Sequence, residues 1–274
     1  MLINSPQNAR IKAVAKLLNA RDRRKRGLFI VERGREIQRA LKQGFELQEL
    51  YWCPRYWPEE QSPESLWDID EKIVCEVSKD ALAKMVVSQN PQGVVGVFKQ
   101  KPTDAPSLFA SNTTAGLWLV TVGIEKPGNF GAMARTAEAA GCDGMLVVSE
   151  NVQTDLYNPN AIRSSTGAIF NLPMASCDEN TAIELLKANN IQIVTTSDHA
   201  KARWDQVDYK KPTAIVIGPE DTGLSDILLN EDGTMLPVSL PMMGQTCDSL
   251  NASVATGILL YEAVRQRQSL PSNP

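Results

Sequence analysis

Three times after residue 116 of this chain, an apolar strand-like run breaks into a short polar turn. The turns are Pro127-Gly128-Asn129-Phe130-Gly131-Ala132, then Gly218-Pro219-Glu220-Asp221-Thr222-Gly223, then the segment from Leu240 to Ala255, which enters a long apolar helix. Apolar runs alternating with helices imply a mainly parallel sheet covered on both faces. In such sheets ligands bind outside the carboxyl ends of the strands, where turns of this kind lie. A polar turn feeding a helix start also aims backbone N–H groups and small side chains at one spot. Three such turns in one α/β domain imply one composite site.

The pattern of apolar positions gives strands at 117–123, 144–148, 191–196, 213–218 and 235–240, and helices at 129–140, 178–189 and 247–267, with a shorter one near 223–229. The first hundred residues read as a smaller α/β module. Ser5 caps a helix with Pro6 in its first position, and Arg21 to Arg26 form an exposed connection. LFIV (28–31) is a strand, 33–43 a helix ended by Gly44, 47–52 and 73–77 strands, 78–86 a helix, and 94–98 a strand after the turn Asn90-Pro91-Gln92-Gly93. Residues 100–115, proline-containing and rich in small polar residues, read as a linker. The expected division is therefore 1–99, a linker at 100–115, and 116–274.

The 43% apolar content over 274 residues supports two real cores. No apolar run of about 18 residues occurs, so no membrane-spanning helix is expected. The N-terminus lacks the apolar stretch of a secretory signal, which leads to the expectation of a cytoplasmic protein. Cys53, Cys75, Cys142, Cys177 and Cys247 form no CxxC, and His199 is the only histidine, so no metal site is expected. Eleven Lys and Arg stand against three acids between Arg10 and Arg39, a local charge of +8 in a chain of net −4. A basic lobe on an acidic body points to a local polyanion contact, with Arg23, Arg24, Lys25 and Arg26 at its centre; the alternative is an ordinary solvated charge run.

There is no G-x-G-x-x-G, no GxxxxGK[ST] and no G-x-S-x-G, and a lone histidine, read as a surface loop residue, disfavours a Ser-His-acid hydrolase. The composite site offers Asn129, Arg135, Glu220, Ser249 and Asn251, which suit hydrogen bonding and one cation.

In register, these segments resemble the three motifs of the SpoU (TrmH-like) RNA ribose 2′-O-methyltransferases of the SPOUT class. The first is N-F-G-A-M-A-R-T-A-E-A-A-G from Asn129 to Gly141, the second I-V-I-G-P-E-D-T-G-L-S from Ile215 to Ser225, and the third L-P-M-M-G-Q-T-C-D-S-L-N-A-S-V-A-T-G-I-L from Leu240 to Leu259. Arg163-Ser164-Ser165-Thr166-Gly167-Ala168-Ile169-Phe170 followed by Leu172-Pro173 is similar to the family's connecting signature. The match covers about 116–268. Arg24 to Glu32 resembles, in slightly irregular form, the R-x-R-x-x-G-x-F-I-V-E run of the family's N-terminal substrate-binding domain. The resemblance implies a deep C-terminal trefoil knot, S-adenosylmethionine bound in a bent form in the knot loops, and a homodimer with its site at the subunit interface. Periodicity implies none of this, and knots are nearly absent from proteins at large.

By the same resemblance Arg135 acts at the ribose hydroxyl, either as a base helped by a neighbouring phosphate or as a stabiliser of the developing alkoxide. An arginine stays protonated by its reference pKa, which favours the second role. Asn129 orients the helix start or the RNA, or is a plain cap. Glu220 holds the site and contacts Arg135 or Asn129. Ser249 and Asn251 bind phosphate or ribose, or cap the helix. Gly218, Leu240 and Leu250 contact the cofactor, Gly218 by permitting close approach; Thr196 and Gly244 are further candidates for that pocket. Arg163 assists RNA binding or sits in a structural pair. The expected activity is methyl transfer to a ribose 2′-hydroxyl, on ribosomal RNA ahead of transfer RNA. The competing reading, a non-catalytic RNA-binding protein with a decayed cofactor fold, is disfavoured because Arg135, Asn129 and Asn251 are all present.

Overall fold

The computed structural model describes residues 2–109, 116–149, 155–229, 234–244, 246 and 248–268. In chain order the elements are β1 (Leu2–Ile3), α1 (Ala9–Ala15), α2 (Ala20–Arg26), β2 (Leu28–Val31), α3 (Gly34–Lys42), β3 (Leu47–Trp52), α4 (Pro63–Trp67), β4 (Val74–Val77), α5 (Lys79–Lys84) and β5 (Val94–Lys99). They continue as β6 (Leu117–Val122), α6 (Pro127–Ala139), β7 (Gly144–Val148), α7 (Pro159–Ser164), β8 (Met174–Cys177), α8 (Glu179–Ala188), β9 (Gln192–Thr196), β10 (Ala202–Arg203), β11 (Thr213–Ile217), β12 (Met235–Ser239) and α9 (Ala252–Arg267). The chain forms two compact units, one of residues 1–102 and 155–171, the other of 103–154 and 172–274.

The first unit is a five-stranded mixed sheet, β1-β4-β3-β5-β2, with β3–β5 and β5–β2 antiparallel. Ile11, Val14 and Leu17 pack with Leu82 and Val95 in its core. The first helix starts at Ala9, not Pro6, because Asn8 supplies the cap: its side chain accepts from Arg10 N at 2.8 Å. Residues 21–26, read as a connection, belong to α2, which Asn19 caps and Gly27 ends in a left-handed conformation.

Segment 155–171 joins this unit and not the one that follows it in sequence. Tyr157 stacks on Phe29 at 4.4 Å between centroids, and Phe170 lies 5.1 Å from Phe45. Asp155 pairs with Arg23, which is 1% exposed. Aromatic burial and one buried ion pair thus draw in a stretch that the sequence reading left within 116–274. The linker reading covers 100–115, of which 110–115 lie outside the described residues; Pro106–Phe109 is a 3-10 turn with Phe109 buried.

The second unit is a parallel sheet of order β10-β12-β9-β11-β6-β7-β8. LWLVTV and TAIVI are buried almost throughout, as strands covered on both faces must be. Ala214 and Val216 face a core shared with Ala182, Ile183 and Leu186 of α8. Ile215 and Ile217 point the other way, toward the side on which α9 packs against β11 and α6 against α9. The helix expected near 223–229 is a pair of turns, and the helix expected from 247 begins at Ala252. β8 and α7 appear where neither was expected.

Candidate functional site

β9, β11 and β12 run parallel, with Thr195 level with Val216 and with Pro237, so their carboxyl ends open at one edge. The turns that follow them enclose a cleft of about 380 Å³, lined by Thr196, Gly218, Leu240, Ser249, Leu250 and Ala255 among others. Thr196 Oγ1 donates to Val216 O at 3.2 Å and ties two of the strand ends together. Leu240 and Leu250 are half-buried apolar walls. A Cβ at Gly218 would lie 2.8 Å from Leu224 Cδ2, so the turn's own packing already demands glycine there. Ser249 is exposed and makes no side-chain hydrogen bond among the described residues. Gly244 is exposed and does not line this cleft.

Asn129, Glu220 and Asn251, one from each turn, meet at a single carboxylate oxygen. Glu220 Oε1 accepts from Asn129 Nδ2 at 2.9 Å, Asn251 Nδ2 at 2.8 Å and Ala252 N at 3.1 Å. Asn251 Nδ2 also lies 3.3 Å from Asn129 Oδ1. Asn251 is the α9 cap as well: its Oδ1 accepts from Ser253 N at 3.0 Å. Asn129 does not cap α6. Pro127 takes the first helical position and puts Asn129 inside the first turn, free to face Glu220. A carboxylate beside the start of α9 is electrostatically favoured by the helix dipole.

Glu220 is the wall between this cleft and a second one of about 490 Å³, lined by Gly123, Ile124, Lys126, Asn129 and Thr222 among others. Lys126 Nζ stands 3.8 Å from Glu220 Oε2. Sequence reasoning missed Lys126, although it directly precedes the first motif. It also missed the carboxylates of Asp198, Asp221 and Asp248, which line the first cleft. His199 sits at the same mouth, highly exposed, with Nε2 3.6 Å from Asp198.

Arg135 is exposed, and no bond joins it to this cluster among the described residues. Six residues carry a helix about one and two-thirds turns, so it leaves α6 on a different side from Asn129. It makes no hydrogen bond or ion pair among the described residues.

The basic lobe divides. Arg23 is a correction to the expected RNA-facing set: its Nε donates to Asp155 Oδ2 at 3.0 Å and its Nη1 to Leu17 O at 2.5 Å, so its charge is buried and used in holding α2. Arg24, Lys25 and Arg26 are exposed. Arg163 belongs to the first unit, donates to Asn160 Oδ1 at 2.9 Å and lies near Glu32.

Residues 116–261 match the SpoU rRNA methylase family, and residues 8–96 match the MRM3-like substrate binding domain. A solved RNA 2′-O ribose methyltransferase is 37% identical, with a TM-score of 0.81 and coverage of 97% of this chain and 99% of that one. A 23S rRNA (uridine(2479)-2′-O)-methyltransferase of Streptomyces viridochromogenes is 30% identical over 273 residues, 96% of this chain and 92% of its own. The structure of an rRNA methyltransferase from Sinorhizobium meliloti with AdoMet bound is 27% identical, with a TM-score of 0.83 and coverage of 98% and 99%.

Proposed function

We propose, for a chain that belongs to the SpoU rRNA methylase family, that it transfers a methyl group from S-adenosylmethionine to a ribose 2′-hydroxyl of ribosomal RNA. The observation that carries this reading is the meeting of Asn129, Glu220 and Asn251 beside a cleft at the strand ends.

The cleft suits the cofactor on its own chemistry. Its volume of about 380 Å³ falls in the range of small-molecule sites. Leu240 and Leu250 offer apolar faces to an adenine ring, and the backbone of the 218–223 turn offers polar edges. Asp198, Asp221 and Asp248 favour a ligand of net positive charge. When bound, S-adenosylmethionine supplies an electrophilic methyl group on a cationic sulfur. Thr196 and Gly218 shape the floor, and Ser249 the rim. Gly244 lies outside the lining.

The second cleft receives the nucleotide. Glu220 fixes Asn251 and Asn129, the second Nδ2 hydrogen of Asn129 holds the ribose against the shared wall, and Lys126 takes an adjoining phosphate. Arg135 steadies the negative charge as the 2′-oxygen loses its proton; a guanidinium remains cationic throughout. Because Arg135 leaves α6 on a different side from Asn129 and bonds to no member of the cluster among the described residues, the reading includes a homodimer in which each copy lends Arg135 to the other's site. Val254 and Tyr261 of α9, 50% and 51% exposed with half-buried Ile258 between them, support it as an unpaired apolar stripe on the helix packed against α6. The proposal extends to a C-terminal trefoil knot, for which the chain's return past β9 to reach β12 is the supporting part of the topology. It extends also to a cytoplasmic location; no described helix is long and apolar enough to cross a membrane. Arg24, Lys25 and Arg26 contribute charge toward the RNA.

Arg135→Ala tests the assignment. Turnover should fall about 10²- to 10³-fold, while calorimetric titration gives an unchanged affinity for S-adenosylmethionine and the melting temperature holds. Near-wild-type turnover would remove Arg135 from the reaction.

A further inference from the structure

The first unit carries a built surface that the methyltransferase site does not use. Glu32 follows β2 directly and is 7% exposed. Its carboxylate accepts from Val87 N at 2.6 Å and Ser88 N at 3.2 Å. Taking a carboxylate out of water is costly unless it is well hydrogen-bonded, and here both donors come from the backbone of one loop. The loop's far end is fixed too. Gly93, at φ +80°, accepts through its carbonyl from Cys53 N at 2.7 Å, and a Cβ there would lie 2.5 Å from Trp57 N.

Between these anchors Gln89, Asn90 and Gln92 are exposed, and none of their side-chain amides makes a hydrogen bond among the described residues. A loop tied down at both ends, whose exposed amides bond to nothing else among the described residues, loses little entropy on binding. Its neighbours have matching chemistry. Trp57 and Trp67 are half-buried, 5.5 Å apart edge to face, and both rings pack on Gly34 at the start of α3. Arg33 and Arg35 flank that glycine, and the charges of Arg33 and Arg163 are felt at Glu32. Proteins that read RNA sequence do so on unstacked bases, which they stack on aromatic or guanidinium planes and hydrogen-bond along their edges.

We propose that loop 87–93 is a reading surface for single-stranded RNA, in which the amides of Gln89, Asn90 and Gln92 bond to base edges, Trp57 offers a stacking face, and Arg33 and Arg35 hold adjoining phosphates. The inference rests on the methyltransferase reading, which makes RNA the substrate.

The test uses full-length protein, a protein-free 23S rRNA transcript and intact large ribosomal subunits, with filter binding and labelled methyl transfer read separately. Wild type that binds the transcript without labelling it counts against the methyltransferase reading alone. The triple change Gln89→Ala, Asn90→Ala, Gln92→Ala should raise both Kd and KM for the transcript about tenfold or more. It should leave kcat within about twofold and the salt dependence of binding unchanged, because no charge is lost. Cofactor affinity and melting temperature should also hold. Asn90→Asp with Gln92→Glu, which preserves side-chain shape, should give the same loss. Single-stranded 20-mers should compete better than duplexes. Unchanged Kd and KM would overturn the proposal, as would equal competition by duplex. A loss seen only on intact subunits would assign the loop to a ribosomal protein and overturn it equally.

Discussion

Glu32 and Glu220 both collect hydrogen-bond donors, but in opposite settings. Glu32 is buried, and its two oxygens serve the backbone of one loop. Glu220 keeps 30% of its side chain exposed, gathers three donors at one oxygen, and faces a cleft on either side. The buried carboxylate fixes geometry at a desolvation cost, and nothing can approach it. The half-open one joins turns far apart in sequence and remains within reach of a bound molecule. The difference separates a residue expected to govern stability from one expected to govern turnover.

The largest effect should come from Glu220→Ala. Turnover should drop about 10²-fold, measured as initial rates on rRNA, with little change in melting temperature because its donors can turn to water. A variant of normal turnover and lowered stability would make the two glutamates equivalent. Glu32→Ala should do the reverse, lowering unfolding free energy by about 1–3 kcal/mol in denaturant titration and speeding amide exchange at Val87 and Ser88, with cofactor affinity intact. Asn251→Ala should cost about 1 kcal/mol from the lost α9 cap and lower turnover as well. Asn251→Asp retains a capping oxygen but sets a second carboxylate against Glu220 in place of a donor, so it should recover neither the full stability nor the turnover.

The smallest effect is a pH slope. Burial raises the carboxyls of Glu36 and Glu32 above their ordinary value of 4.5, against the pull of backbone N–H groups and nearby arginines. A folded acid with a raised pKa binds its proton more readily than the unfolded chain does. Stability is therefore greatest below the window that begins at the ordinary value, and falls as pH rises through it. Glu36, 2% exposed with Oε2 unpartnered among the described residues, should show this most simply. Acidification from neutrality into that window should stabilise wild type more than Glu36→Gln; parallel curves in urea melts would contradict it.

Much of the sheet was legible because buried parallel strands are continuous apolar runs: 144–148 and 47–52 appear at the expected bounds. β8 was not, because a four-residue edge strand, Met174–Cys177, shows no such run and, among the described residues, pairs with β7 alone. Asn251 rather than an earlier residue starts α9, a local capping preference that the polar stretch before it obscured. At the site, the motifs disclosed Asn129, Glu220 and Asn251 but not their common oxygen. The burial of Arg23 was invisible because its partner Asp155 lies 132 residues away. The Glu32 clamp likewise spans 55 residues and leaves no local signature.

The most direct measurement is nucleoside analysis of rRNA incubated with this protein and methyl-labelled S-adenosylmethionine. The account predicts label confined to 2′-O-methylated ribonucleosides, and lost with Arg135→Ala. Label on a base with unlabelled ribose, or no label while the cofactor binds, would contradict it.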